Sequence, residues 1–293
     1  MTLTVLAVVT GIAIGSVYGL IAIGYSVVYR ATRVFNLAQG DLVMLGVMLS
    51  WYLLAVRHWS QGLTFVCVLV GVPLVSVAEE RLIIRPFFKR PGDNIGWFIA
   101  TLAFSLVIET FITNLYGNQQ PNPIPSLIGG SITVDGVSIA NKLVLAIVAL
   151  ILVTVAVEIF YRKTWMGTAM RAVAEDREVA TLRGIDSRRT AILAFALGGV
   201  IAAIAGFVLG PIVSSDPSIG LDYGLQGFVA MAIGGFGSLR GAVVGAWILG
   251  VAEQVFDRYY NSNYEIVAAV GVLLLILVVK PTGLFSSSNT RTV

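Results

Sequence analysis

Charge is what this chain lacks most. Only 12% of its 293 residues are Asp, Glu, Lys or Arg, about half the share of an ordinary soluble domain. At the same time 57% are hydrophobic, and mean hydropathy is +0.89. An ordinary soluble enzyme and an intrinsically disordered chain are both disfavoured. The single cysteine, Cys67, has no partner for a disulfide framework, and the single histidine, His58, has no second imidazole for a metal pair. No G-x-x-x-x-G-K-[S/T] run is present, so the chain has no loop of its own to cradle ATP. It also lacks a nucleophile with a nearby base, a metal-ligand cluster and a dinucleotide glycine motif, since Gly235-Phe-Gly237 lies in an apolar stretch. The net charge of +3 comes without a basic face, which excludes nucleic acid as partner.

The few charges act as punctuation. Residues 2–29, 59–78, 190–215 and 223–239 contain none, with shorter clean runs at 42–56, 94–108, 143–157 and 266–279. A membrane helix needs about 20 mostly apolar residues. Lipid cannot satisfy the open edge of a sheet, and a barrel would show short alternating segments. The fold class is therefore all-α, a polytopic transmembrane bundle formed by one domain over residues 1–293. The N-terminus lacks the basic stretch of a secretory signal, so the block behind it reads as the first span. Further spans are expected near 42–57, 60–78, 95–115, 142–161, 190–212, a broken region at 226–256, and 264–280. That makes eight spans, or nine if the broken region crosses twice.

Lys and Arg in short loops set the orientation. Seven of 19 basic residues lie in 162–189 and four more in 81–90. Both segments face the cytoplasm, as do Arg30 and Arg33 two spans earlier. Residues 116–141, with Pro121, Pro123 and Pro125, have no Lys or Arg and fall outside. The C-terminus is ambiguous: Lys280 and Arg291 favour the inside, whereas a single crossing at 226–256 would place it outside.

The segment 162–189 is the longest polar stretch. From Thr168 to Leu182 it is rich in Ala, Glu and Arg, without Pro or internal Gly, and Gly184 stands at a C′ position. It is predicted to form one short cytoplasmic helix with a small apolar face of Ala169, Ala172, Val173, Val179 and Ala180. Seven basic and four acidic residues make a mixed surface, better suited to docking a protein than to adhering to lipid. The alternative is a solvated connector that merely obeys the positive-inside rule. The small residues, Glu175 and Gly184 make the segment similar to the coupling loop of ATP-binding-cassette importer permeases, with Arg171, Ala172, Glu175, Asp176 and Gly184 as the ATPase-facing positions.

Two apolar stretches are interrupted, at Asn36-Leu-Ala-Gln-Gly-Asp41 and at Ala232-Ile-Gly-Gly-Phe-Gly-Ser-Leu-Arg-Gly241. Irregular backbone inside a membrane is tolerated only when buried in protein or lining a cavity, and such breaks often form transport sites. The two read as a possible pair of related elements. Asn36, Gln39, Gly40, Asp41, Gly234, Gly235 and Gly237 are therefore candidates for a pathway or gate. Glu109, an ionisable residue inside a span, joins them; it could equally be a carboxylate near the interface satisfied by neighbouring hydroxyls. Gly11, Gly15 and Gly19, and Gly241 and Gly245, have the four-residue spacing of close helix packing. Glu158 and Glu253 are expected near span ends.

Over nearly its whole length the chain resembles the branched-chain amino acid importer permeases of the LivH-like type. The anchors are Gly19-Leu-Ile-Ala-Ile-Gly24, Arg33-Val-Phe-Asn-Leu-Ala-Gln-Gly-Asp-Leu-Val-Met-Leu-Gly46, Gly167-Thr-Ala-Met-Arg-Ala172, Ala180-Thr-Leu-Arg-Gly-Ile185, Gly234-Gly-Phe-Gly-Ser-Leu-Arg-Gly-Ala242, Gly250-Val-Ala-Glu253 and Lys280-Pro-Thr-Gly-Leu-Phe285. That family usually has His where Gln39 stands, with an acid after the next Gly, here Asp41. The resemblance implies a multi-pass subunit of a bacterial inner membrane that is not itself an enzyme. It implies pairing with a second homologous permease (as heterodimer or homodimer), two ATP-binding subunits that hold ATP and Mg, and a periplasmic or lipid-anchored solute-binding protein. The cargo implied is a branched-chain or other hydrophobic amino acid, or a related small solute such as urea, an amide or an aromatic acid. The rival readings are an ion-coupled secondary transporter or channel for a small polar solute, and an integral-membrane enzyme.

Overall fold

The computed structural model describes residues 2–86, 96–116, 124–134, 137–213, 215–259 and 265–285. Its helices are α1 (Thr2–Thr32), α2 (Gln39–Trp51), α3 (Gln61–Glu79), α4 (Gly96–Tyr116), α5 (Asn141–Lys163), α6 (Trp165–Glu175), α7 (Arg177–Leu182), α8 (Ser187–Val213), α9 (Ile219–Gly234), α10 (Leu239–Tyr259) and α11 (Glu265–Val279). A π-helical turn prolongs α2 through Tyr52–Val56, and another prolongs α3 through Glu80–Ile84. Among the described residues, the bundle departs from all-α only in a two-stranded antiparallel hairpin, β1 (Ser131–Val134) and β2 (Val137–Ala140), with Ser131 opposite Ala140. Among the described residues, seven helical segments are long and apolar enough to cross a membrane, and α9 and α11 are shorter apolar helices.

Helix α1 forms the centre. Every residue from Gly15 to Val28 is buried, because α10, α8, α9 and α5 surround it. An all-round apolar sequence suits such a position. The outer helices are apolar for a different reason. Only 22% of the apolar window of α3 and of α4 is buried, against 67% for α1 and α8, and Leu74, Leu106, Phe111 and Leu152 point outward, where hydrocarbon would meet them.

Apolar attraction between helices is weak in lipid, so close backbone contact has to supply cohesion. The predicted glycine stripe does this. A methyl group on Gly250 of α10 would stand 2.6 Å from Gly15 Cα, and one on Gly11 would stand 2.7 Å from Val251 Cα. Trp247 adds a hydrogen bond from Nε1 to Ser16 Oγ at 3.0 Å. Gly241 and Gly245 likewise seat α10 against Gly234 and Ala230 of α9.

The broken region is a hairpin of two helices, α9 and α10. Gly235 (φ 103°) and Gly237 (φ 76°) turn the chain in a backbone region that favours glycine. This turn lies at the Arg30 end of α1, where Phe236 packs against Tyr29 and Phe35. The C-terminal segment closes over it, with Leu284 N–H donating to Ile233 O and Phe285 N–H to Gly234 O, both at 2.9 Å. Residues 280–285 therefore share an end of the bundle with the 162–189 loop, an arrangement that fits the alternative of nine segments, made of seven long apolar helices and the shorter α9 and α11 among the described residues.

Three expectations are corrected. The third span extends from 78 to Ile84, because α3 runs on through Glu79 and its π-helical turn through Ile84, with Glu79 and Glu80 both buried in the bundle. Glu253 is fully buried instead of lying near the interface. Thr168–Leu182 is two helices, since Asp176 leaves helical geometry to cap α7, accepting from Glu178 N–H at 2.9 Å and Val179 N–H at 3.0 Å. Lys89, Arg90, Pro121, Pro123 and Arg291 lie outside the described residues.

Gly250→Val should destabilise the folded protein by about 1–3 kcal/mol or more through overpacking, whereas Gly271→Ala, with open space around it, should leave stability unchanged or slightly raised. Thermal unfolding in detergent distinguishes the two.

Candidate functional site

Between α1 and α2 the chain makes six residues of irregular backbone, 33–38, and then begins α2 inside the bundle instead of at its surface. Depth follows from the neighbours. Gln39 lies beside Gly24, eight residues before the end of α1, and Gly40 faces Gly220 and Gly224 of α9. Backbone at that depth needs partners from protein. Side chains supply them: Val34 N–H donates to Thr32 Oγ1 at 3.2 Å, and Ala38 N–H donates to Asn36 Oδ1 at 3.0 Å.

The same segment starts a buried polar cluster. Asn36 Nδ2 donates to Glu79 Oε2 at 2.9 Å, Gln39 Nε2 donates to Gly198 O at 3.1 Å, and Ser105 Oγ donates to Asp41 Oδ2. Asn36, Gln39, Asp41 and Glu79 are each at most 2% exposed. Glu109 is four residues beyond Ser105 on α4, hence on the same helix face. Among the described residues, Gln39 Oε1, Asp41 Oδ1 and Glu79 Oε1 have no hydrogen-bond partner. Asp41 also sits in the first turn of α2 and against Gly220 in the first turn of α9. Both helix ends present the partial positive charge of free N–H groups.

Five of the predicted residues, Asn36, Gln39, Gly40, Asp41 and Glu109, thus meet in one place. Gly234, Gly235 and Gly237 lie elsewhere, at the α9–α10 turn. The two breaks touch through Phe35, stacked on Tyr29 at 4.3 Å between centroids and edge-on to Phe236 at 5.3 Å. Phe228 and Trp97 complete this aromatic cluster on the loop side of the polar one. Sequence reasoning missed Glu79, Ser105 and the aromatics. Glu79 borders the uncharged run 59–78, but the Arg81 and Arg85 that follow made it look like part of a loop.

Of the loop residues, Ala169, Met170, Val173 and Ala180 are buried, and Arg171 and Ala172 are half-buried. Glu175, Asp176 and Gly184 are exposed, and with them stand Trp165 (78% exposed) and Leu182 (87%). Gly184 (φ 83°) ends α7 with paired bonds, from Gly184 N–H to Thr181 O and from Ile185 N–H to Ala180 O. Asp186 then opens α8. Its carboxyl is held below the usual range by the backbone N–H of Arg188, then by that of Arg189 and the positive charge of both side chains.

A family model described as "Branched-chain amino acid transport system / permease component" matches residues 7–279. The high-affinity branched-chain amino acid transport system permease protein LivH of Salmonella typhimurium is 32% identical over 97% of this chain and 96% of its own. LivH of Escherichia coli K12 has the same identity and coverage. The corresponding BraD of Pseudomonas aeruginosa is 30% identical over 97% of this chain and 96% of its own.

Removing the hydroxyl donor in Ser105→Ala should cost about 1.5–3 kcal/mol, the range for a hydrogen bond to a charged group, and Ser105→Thr should restore most of it. Unfolding midpoints of the two variants against the parent provide the check.

Proposed function

This chain belongs to the branched-chain amino acid transport permease family, and from that premise we propose that it is a membrane-embedded subunit of an ATP-driven importer in a bacterial inner membrane. The observation that carries the proposal is the family match across residues 7–279. The cargo is a branched-chain amino acid or a solute of similar size and apolarity. The working assembly contains a second related permease, two ATPase subunits that hold ATP and Mg, and an extracytoplasmic solute-binding protein. This chain's share of the work is conduction, not hydrolysis.

Loop geometry supports the coupling role. Helix α6 is anchored by Met170 and Val173, while Trp165, Glu175, Asp176 and Leu182 stay outward. An ATPase gripping the outer residues would move the buried ones, and through them α1 and α8, against which α6 packs. Coupling requires contacts that differ between nucleotide states.

The conduction route runs past the interrupted start of α2, where Asn36, Gln39, Asp41 and Glu79 provide the polar groups and the cluster around Phe35 closes the cytoplasmic side. Gly234, Gly235 and Gly237 contribute by letting the α9–α10 turn sit close to that closure. Alternating access would open the polar cluster first to the outside and then, after Phe35 and Phe236 separate, to the cytoplasm. The carboxyls favour a solute that brings hydrogen-bond donors, which the ammonium group of an amino acid does.

Proteoliposomes holding the full assembly should accumulate leucine or isoleucine only when ATP is on the ATPase side. Uptake by this chain alone under a proton or sodium gradient would overturn the proposal. Gly184→Pro, which removes an N–H and a positive-φ residue together, should lower ATPase co-purification at least about tenfold while insertion persists.

A further inference from the structure

Resting on the importer reading, we infer that Arg33 is the positioning residue that carries movement of the docking helix to the interrupted segment beneath it. Helix α6 ends at Glu175, so its last carbonyls have no partner in the helix itself. Arg33 supplies one, donating from Nη2 to Ala174 O at 3.0 Å. The guanidinium thus lies at the negative end of α6, where a cation is favoured.

The position of Arg33 gives this contact its consequence. Arg33 is the first residue after α1 and has φ 60°, one of two non-glycine residues with positive φ among those described. Bulky side chains seldom adopt that conformation without a compensating interaction. Arg33 N–H still bonds Tyr29 O at 2.8 Å, and its guanidinium lies 5.7 Å from the centre of the Tyr29 ring. Two residues on, Phe35 is the hub of the aromatic cluster. Three residues on, Asn36 binds Glu79 in the polar cluster. No helical ladder intervenes in residues 33–38 to absorb displacement. A shift of the α6 terminus therefore reaches Phe35 and Asn36 through three residues of chain, without passing through the long helices.

Arg33 is exposed and the Ala174 contact lies at the surface, so an ATPase bound to the adjoining Glu175 and Asp176 can strengthen or break it. In one state the bond holds residues 33–38 as they stand. In the other Arg33 is released, its backbone relaxes, and Phe35 is free to leave Tyr29 and Phe236.

The test is amide hydrogen exchange on the assembled complex in nanodiscs, with and without ATP, for the parent, Arg33→Gln and Arg33→Lys. In the parent, ATP should change exchange both in 165–184 and in 33–40. In Arg33→Gln the change in 165–184 should persist, that in 33–40 should fall at least threefold, and solute moved per ATP hydrolysed should drop in parallel. Arg33→Lys, which keeps a cationic donor, should recover part of both. An ATP response in 33–40 unaltered in Arg33→Gln would overturn the inference while leaving the importer reading intact. Absence of any response at 165–184 in the parent would instead remove the docking role and this inference with it.

Discussion

The structure depends on one constraint, that backbone inside a membrane must find its hydrogen-bond partners within the protein. Residues 33–38 break the helical ladder between the exposed end of α1 and the buried start of α2 and satisfy it with side chains, Thr32 and Asn36 accepting and Glu79 holding Asn36 in place. Such an interruption survives only if other helices surround it. The buried middle of α1, the glycine contacts of α2 with α9, and the Gln39 bond to Gly198 of α8 are the means by which they do.

From this interruption the other features take their places. Because α2 begins at depth, Asp41 falls inside the protein, where Ser105 can reach it and where the first turns of α2 and α9 converge. Because the segment leaves α1 at the exposed end of that helix, Arg33 meets the end of α6. The polar cluster, the aromatic closure and the docking loop are thus connected by a short piece of chain. A subunit that conducts a solute while another protein hydrolyses ATP needs such a connection.

Much of this was legible in the residues. Long uncharged runs define the spans, and the concentration of Lys and Arg in 81–90 and 162–189 marks two segments whose described parts lie together at one end of the bundle. The break at Asn36–Asp41 is visible because Asn, Gln and Asp stand together between apolar runs. Gly184 announces the end of a helix, and the spacing of Gly11 and Gly15 announces a packing face. What could not be read depends on tertiary placement. Glu79 looks like a loop residue until α3 runs on through it and Asn36 meets its carboxylate. Ser105 is one hydroxyl among several until α4 lies beside α2. Asp176 looks like part of a helix, since its capping role depends on a choice of backbone that composition leaves open. The crossing number at 226–256 required knowing that Gly235 and Gly237 turn the chain back on itself.

The central claim is that access to the interrupted segment alternates between the two sides of the membrane under the control of the ATPases. Its most direct measurement uses the assembled complex with Cys67 replaced by Ser and Gln39 replaced by Cys, probed with a membrane-impermeant thiol reagent from each side in turn. The account predicts labelling from outside in one nucleotide state and from the cytoplasmic side in another. Labelling from the same side in every state, or from neither, would contradict it.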